Sequence, residues 1–416
     1  MMRVMESSRL RRLAAVLALG LAATAPASAQ LPLPQPQLPT LPDVVGQARD
    51  TLPEVTRAAP LNDLRKLRLR DLVRANPRTL EIERGQAIVR HEVVAVAPTE
   101  EALAAARRAG YTLSARERLN GLDTSIVTLS APQGVSTRRA LARLRELDPA
   151  GIYDFNHLYS ESGPISGSGP FAPKESAGGG SNGARIGLID SGVDARALPG
   201  VRVEQRAFAG ADATPALHGT AVASLMDGIA HIYAADVYGG ATTGGSATAI
   251  ARAFAWMAQE RVGVVNVSLV GPPNQALQAI VAGMIARGIL IVAAVGNDGP
   301  AAPPLYPASY PGVVGVTGVN ARERVLVEAA RGPQVDFAAR GADMEAASPG
   351  GKTPVRGTSF AAPIVAALLA QRLNAPGVGA QRAVNDLTRA ARDLGAAGRD
   401  EVYGAGLVGR AAVAHR

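Results

Sequence analysis

The sequence predicts an α/β protein in which a doubly wound, mostly parallel sheet follows a small α+β domain. Three observations carry this reading. From Ala184 onward the short apolar runs "ARIGLID", "HIYAADVYG", "VVNVSLV" and "ILIVAAVG" alternate with helical stretches. Those runs are apolar on both faces, as strands of a sheet covered by helices on each side must be. Upstream, residues 86–160 follow the order β-α-β-β-α-β, that of a ferredoxin-like domain. Between the two lies a Gly/Ser/Pro-rich stretch, residues 161–183, with the composition of an exposed linker.

Each element has a local cause. "MMRVMESSRLRR" is basic, "LAAVLALGLAATA" is a short apolar core and "APASA" ends in a small-x-small pattern. Residues 1–29 therefore read as a secretory signal cut between Ala29 and Gln30, and the mature chain is expected to be secreted or periplasmic. Residues 30–85 open with the Pro-rich "QLPLPQPQLPTLPD" and continue as short helices broken at Pro53 and Pro60. "QAIVRHEVVAVAP" alternates like a strand, and "TEEALAAARRAG" has a helical start and a glycine stop. "TLSARERLNGLDTSIVTLSAP" gives two strands around a turn near Asn120–Gly121. "STRRALARLRELDP" is a second amphipathic helix, and "GIYDFNHLYS" a last strand. In residues 184–416, "SATAIARAFAWMAQERV" and "NQALQAIVAGMIARG" supply helices between the buried strands.

Composition removes several functions. The 416 residues leave room for more than one domain and a sizeable core. Beyond the N-terminus no apolar run is long enough to span a membrane. There is no cysteine, so no disulfide braces the fold. A pI near 10.2 raises nucleic-acid binding. The charge, however, is spread thinly: 20 basic and 17 acidic residues from Ala184 onward, 23 and 18 before it. Nor are basic residues interleaved with aromatics, so nucleic acid is not an expected partner. "GSGP" and "GGGSNG" lack the Lys-Ser/Thr ending of a phosphate loop.

In doubly wound sheets, functional residues gather at the carboxyl ends of strands. Asp190 ends the first strand, in "IGLIDSGVD", where a buried carboxylate requires a donor partner. His218 opens a small-residue helix, "ALHGTAVASLMDG"; Asn297 follows the fourth strand in "VAAVGNDGP". Ser359 stands in "RGTSFAAPIVAALLAQR", where an apolar helix begins among small residues. Taken singly, Asp190 is an ordinary turn residue, His218 a structural histidine, Asn297 a turn signal, and Thr358 or Ser359 a helix N-cap. Together they are a carboxylate, an imidazole, an amide donor and a hydroxyl on one sheet edge. Those groups suffice to activate a serine and to hold a tetrahedral oxyanion.

The flanking motifs, "DSG", "HGT", "GN", "GTSFAAP", "NVSLVG", "YPASYPGVVGVTGV" and "YGAGLV", occur in order between about Ala184 and Val413. In these the chain resembles the subtilisin-like serine proteases, the subtilases. The resemblance implies an Asp190–His218–Ser359 triad with Asn297 as oxyanion donor. It implies a polypeptide-binding strand and pocket from Ser268, Leu269, Val270, Gly271, Ala294 and Gly296. It further implies that residues 86–160 are a prodomain, an intramolecular chaperone and inhibitor that the enzyme removes itself. No cofactor or metal is expected: the family's calcium ligands do not map here, and the span from Asp190 to His218 leaves little room for a calcium loop.

Two departures stand out. Ala221 replaces the second histidine of the family's "HGTHVAG", a structural position. Val270 replaces a glycine common beside the specificity pocket, which predicts a preference for small residues before the scissile bond. A sedolisin-type peptidase would use Glu and Asp where this chain has His218 and Asn297. A latent or inactive binding protein on the same fold is the remaining alternative, although no triad position is broken.

Overall fold

The computed structural model describes residues 61–161 and 183–409. The expected signal segment, the Pro-rich stretch and all but the ends of the linker lie outside the described residues. The chain divides into residues 1–57 and 58–416, and everything described below belongs to the second of these units.

The N-terminal part begins with one helix, α1 (Leu61–Ala75), directly after Pro60. Then come β1 (Leu80–Glu83), β2 (Gln86–Val96), α2 (Glu100–Arg108), β3 (Thr112–Leu119), β4 (Thr124–Ser130), α3 (Thr137–Leu147) and β5 (Ile152–His157). Thr99 and Ser136 cap α2 and α3, their hydroxyls accepting the Ala102 and Arg139 N–H groups. In the antiparallel sheet β2 is central, with β4 and β3 on one side and β5 on the other. β1, unanticipated from the sequence, pairs with the first residues of β2. One sheet face packs Val93, Ala95 and Val127 against Leu103, Leu141 and Leu144 of its own helices.

After His157 the chain leaves this sheet. Ser160–Glu161 form a two-residue strand, β6, antiparallel to β11 (Leu269–Val270). Glu161, read as the first linker residue, is thus paired within the fold; composition marks flexibility but carries no information about a partner strand 108 residues away.

The second part contains β7 (Arg185–Asp190), β8 (Arg202–Ala207), α4 (Leu217–Ser224), β9 (His231–Asp236), α5 (Ala247–Gln259), β10 (Val264–Val267), β11 and α6 (Gln275–Ala286). It continues with β12 (Leu290–Ala294), β13 (Val314–Val319), β14 (Phe337–Arg340), a β15–β16 hairpin (Met344–Ser348, Gly351–Val355), α7 (Thr358–Leu373) and α8 (Ala380–Ala390). Seven parallel strands order as β14-β13-β12-β10-β7-β9-β8.

Alternation along each strand feeds two cores. Ile189, Val265, Val267 and Ile291 face α5 and α6; Ile186, Leu188, Val264 and Val292 face α4, α7 and α8. Phe254 and Trp256 of α5 lie in the first core, each contributing about 1.5–3 kcal/mol by burial. Val94, Val96 and Ile126 of the N-terminal sheet join that same core. The layers therefore run α2/α3, antiparallel sheet, α5/α6, parallel sheet, α4/α7/α8. Helix α7 crosses β10, β12, β13 and β14 and is apolar all round, as a helix enclosed on every side must be. From β7 the chain builds outward to β8 and β9, then returns through α5 to β10 on the opposite side. The strand order reverses between β7 and β10, so the carboxyl ends of those two strands flank the crevice where such sheets bind ligands.

Candidate active site

Asp190 is the last residue of β7 and is fully buried. Its Oδ1 accepts three hydrogen bonds: from the Ser191 N–H at 2.7 Å, the Ser191 hydroxyl at 3.1 Å and His218 Nδ1 at 2.8 Å. His218 lies in the first turn of α4, which approaches the β7 end closely: a methyl group on Gly219 would meet the Ser191 carbonyl oxygen at 2.1 Å. Glycine is therefore required after this histidine. Donation from Nδ1 to Asp190 leaves Nε2 as the basic nitrogen of the neutral ring, and Nε2 has no hydrogen-bond partner among the described residues.

Ser359 sits one residue inside α7 and is fully buried. The N-cap is neither Thr358 nor Ser359 but Gly357, at φ +139°, in backbone space that glycine enters freely. Thr358 is occupied elsewhere: its hydroxyl accepts the Gly296 N–H at 3.2 Å. Pro363 lacks the N–H that would bond the Ser359 carbonyl four residues back. That carbonyl instead accepts the Ser268 hydroxyl at 3.0 Å, while the Ser359 hydroxyl donates to the Ser268 carbonyl at 3.4 Å. The helix start is thereby fastened to the strand that ends beside β7. The ring of the next residue, Phe360, lies 5.5 Å from the His218 ring.

Asn297 follows Gly296, which holds φ +103° at the exit of β12. Its Oδ1 accepts the Thr358 N–H at 3.0 Å, which leaves the NH2 group as the donor on the other side of the amide. Asp298 carries an ion pair to Arg65 of α1 at 2.6 Å, with side chains only 7% and 10% exposed. Burial pushes the Asp298 carboxyl up, and the Arg65 guanidinium opposes the shift.

The predicted binding strand lies between these groups. Leu269 and Val270 pair with Glu161 and Ser160, and the Tyr159 N–H reaches the Gly245 carbonyl at 2.8 Å. Residues 159–161 thus run as a middle strand between two walls. Gly271 exchanges backbone hydrogen bonds with Tyr306 at 2.9 and 3.0 Å. Ala294 is buried at the end of β12, and a Cβ on Gly296 would lie 3.6 Å from Val270 Cγ1. Leu305 Cδ1, at 2.5 Å from the same position, fills most of the space beside Gly296, and Val270 borders it.

Sequence reasoning missed Glu161, which carried no motif. Its carboxylate oxygen lies 4.0 Å from His218 Nδ1. Burial raises its pKa, against the pull of His218 and with a further push from Asp190. Burial of His218 opposes protonation, but Asp190, with Glu161 adding, carries its pKa up to about 9. Glu161, Asp190 and His218 are also the one group of three ligand-type side chains within 4.8 Å among the described residues. An imidazole and its orienting acid account for two of them without a metal. A separate cleft of about 590 Å³, lined by Glu92, Glu117, Asn156 and Arg252 among others, contains none of these groups.

The structure joins His218 to Asp190 and places Ser359 at the start of α7, but no hydrogen bond links the Ser359 hydroxyl to His218 Nε2, which has no partner among the described residues. The pattern of the Subtilase family matches residues 181–406, more than half of the chain, and the chain belongs to that family; it is a serine endopeptidase. It is 29% identical to subtilisin E of Bacillus subtilis (strain 168) over 266 residues, 57% of this chain and 69% of that protein. It is 31% identical to the minor extracellular protease Epr of the same organism over 206 residues, 46% of this chain and 32% of Epr. Among solved structures it is similar to fervidolysin from Fervidobacterium pennivorans, described as a keratinolytic enzyme related to subtilisin. That likeness has a TM-score of 0.64 at 18% identity, covers 80% of this chain and 63% of fervidolysin, and speaks for the fold. Among the described residues no helix is long and apolar enough to cross a membrane.

Proposed function

We propose that this chain is a secreted or periplasmic serine endopeptidase that acts through Asp190, His218 and Ser359 and cuts away its own N-terminal region. The observation that carries the reading is the Ser160–Glu161 strand, paired with Leu269–Val270 and ending beside His218. The chain's own segment occupies the place of a peptide substrate. In this role the Ser359 hydroxyl adds to the scissile carbonyl and passes its proton to His218 Nε2. The Asn297 amide and the N-terminal turn of α7 hold the oxyanion. The C–N bond then breaks as His218 returns the proton to the leaving amine, and water releases the acyl group by the same path. Residues 86–160 act as prodomain, and while 159–161 stay seated the enzyme is latent.

The test is labelling of the purified protein with a fluorophosphonate, followed by digestion of a peptide library. Label is expected on Ser359, with cleavage after small residues because Val270 stands where the family commonly has glycine. A protein freed of its N-terminal region that neither takes the label nor cuts any peptide would be a binding protein on a protease fold. Equal cleavage after Phe and Ala would remove the role given to Val270.

The seated tail also predicts a pH dependence. A base must be neutral to accept the serine proton, and with a pKa near 9 only about 1% of His218 is neutral at pH 7. Self-cleavage should therefore speed up about tenfold per pH unit and level off near pH 9. Glu161 favours the charged ring. Glu161→Gln should move the profile to lower pH, read from the rate of self-cleavage between pH 6 and 10. An unmoved profile would show that Glu161 does not act on His218.

A further inference from the structure

Helix α1 precedes the ferredoxin-like order, yet it reaches both the segment seated in the groove and the loop of Asn297. Its Leu69 and Val73 pack with Leu80, Ala87, Val89 and Leu158 in a small apolar cluster. Leu158 leads directly into residues 159–161, and its N–H donates to the Ala87 carbonyl at 2.9 Å. The helix is therefore seated on the chain that enters the groove. Arg65 stands one turn before Leu69 on the same face of the helix. Its Nε donates to Asp298 Oδ2 at 2.6 Å, and its Nη1 to Gln86 Oε1 at 3.3 Å. The guanidinium thus bridges the first residue of β2 and the residue next to Asn297.

That loop is held at its ends by backbone. The Gly296 carbonyl accepts the Ala330 N–H at 3.0 Å, and the Gly299 N–H donates to the Glu328 carbonyl at 2.8 Å. Between them Asn297 Oδ1 accepts the Thr358 N–H. The Asp298 carboxylate, 7% exposed, is hydrogen-bonded to no other side chain among the described residues. A buried carboxylate that loses its counter-charge draws in water or swings outward, and the loop backbone must follow. An oxyanion donor works only where it is placed in advance: a displacement of about 1 Å costs as much as about 10²-fold in rate.

We propose that Arg65 is a positioning residue for self-cleavage. With α1 seated on the segment to be cut, Arg65 holds Asp298 and thereby sets the Asn297 amide for the oxyanion. The inference rests on the proposed peptidase reading, with Asn297 as its oxyanion donor, and adds to the reaction a group from outside residues 86–160 and 184–416. Arg65 serves the first turnover alone, because the cut that it assists severs α1 from the chain that carries Ser359.

The test follows self-cleavage of the full chain by intact mass in wild type, Arg65→Ala and Arg65→Lys. Arg65→Ala should be slower by about tenfold or more. Arg65→Lys should stay within about threefold of wild type, since it keeps the charge on Asp298 and loses only the fork to Gln86. Once cut, all three should turn over peptides equally per fluorophosphonate-titrated Ser359, because none retains residue 65. Equal self-cleavage rates in wild type and Arg65→Ala overturn the proposal. So does equal slowing in Arg65→Ala and Arg65→Lys, or slowing matched by lower peptide turnover after the cut, either of which marks a purely structural residue. Hydrogen exchange gives a second readout that needs no cut. In the Ser359→Ala chain, amides 296–299 should exchange faster by about tenfold when Arg65→Ala is added, and unchanged exchange overturns the proposal. A wild type that stays whole overturns self-cleavage itself, a result distinct from all of these.

Discussion

Replacing Ser359 by alanine is expected to leave the purified chain whole while the wild type is cut, and to lower peptide turnover by about 10⁶-fold. That magnitude is the one established for the serine of subtilisin, a relative of this chain. The loss is large because no other group can form the acyl-enzyme. The Ser268 hydroxyl is already committed as a donor to the Ser359 carbonyl. The register adds a position to the expectation. Continuing the Glu161–Leu269 pairing by one step predicts a cut after Ser162, so that the new N-terminus should be Gly163; both residues lie outside the described range. Intact mass and N-terminal sequencing of the two proteins side by side decide it. Identical cutting in both would mean that another protease matures the chain.

Asp190→Asn should lower kcat by about 10⁴-fold, the size found when the orienting acid of a serine-protease triad loses its charge. The change is nearly isosteric, so the backbone around Ser191 and the packing of α4 should persist, and far-ultraviolet circular dichroism should coincide with wild type. What vanishes is the anion. Asp190 is the first of the two groups that raise the His218 pKa, against the effect of burial. Without it the imidazolium formed during serine attack stands in a buried site with only Glu161 for company, and with none once the N-terminal segment departs. Raising the pH should not restore the rate, because the deficit lies in stabilising the charged ring rather than in forming the neutral one. A variant within tenfold of wild type would show that Asp190 is a structural acid only.

The parts of the site that could be read from sequence are those whose cause is local. Asp190 announces itself by ending an apolar strand, Ser359 by its small neighbours ahead of an apolar helix, Asn297 by leaving the sheet at the same edge. The parallel sheet was legible for the same reason, since β7, β9, β10 and β12 are short runs buried on both faces. β8 was not, because it is an edge strand of half-exposed, charged residues without an apolar run. β6 is two residues long and exists only because β11 offers it an edge. Likewise the Ser359 carbonyl bonded to Ser268, and the placement of Glu161 beside His218, depend on pairs 91 and 57 positions apart. Sequence periodicity reports what a residue does to its own element and is silent about what another element does to it.

If the proposed self-cleavage releases the N-terminal region, the ion pair between Arg65 and Asp298 makes the chain before and after the cut two different electrostatic objects. Asp298 is the residue next to Asn297, and its counter-charge is supplied from 233 positions earlier, by a helix on the part of the chain that the proposed cut would release. As long as that helix is seated, the Asp298 carboxylate is neutralised. Were the helix released, an unscreened carboxylate would border Asn297 and would need sodium, water or a basic group on an arriving polypeptide. Ionic strength then becomes a control variable for the liberated enzyme that the uncut chain, carrying its own cation, does not share.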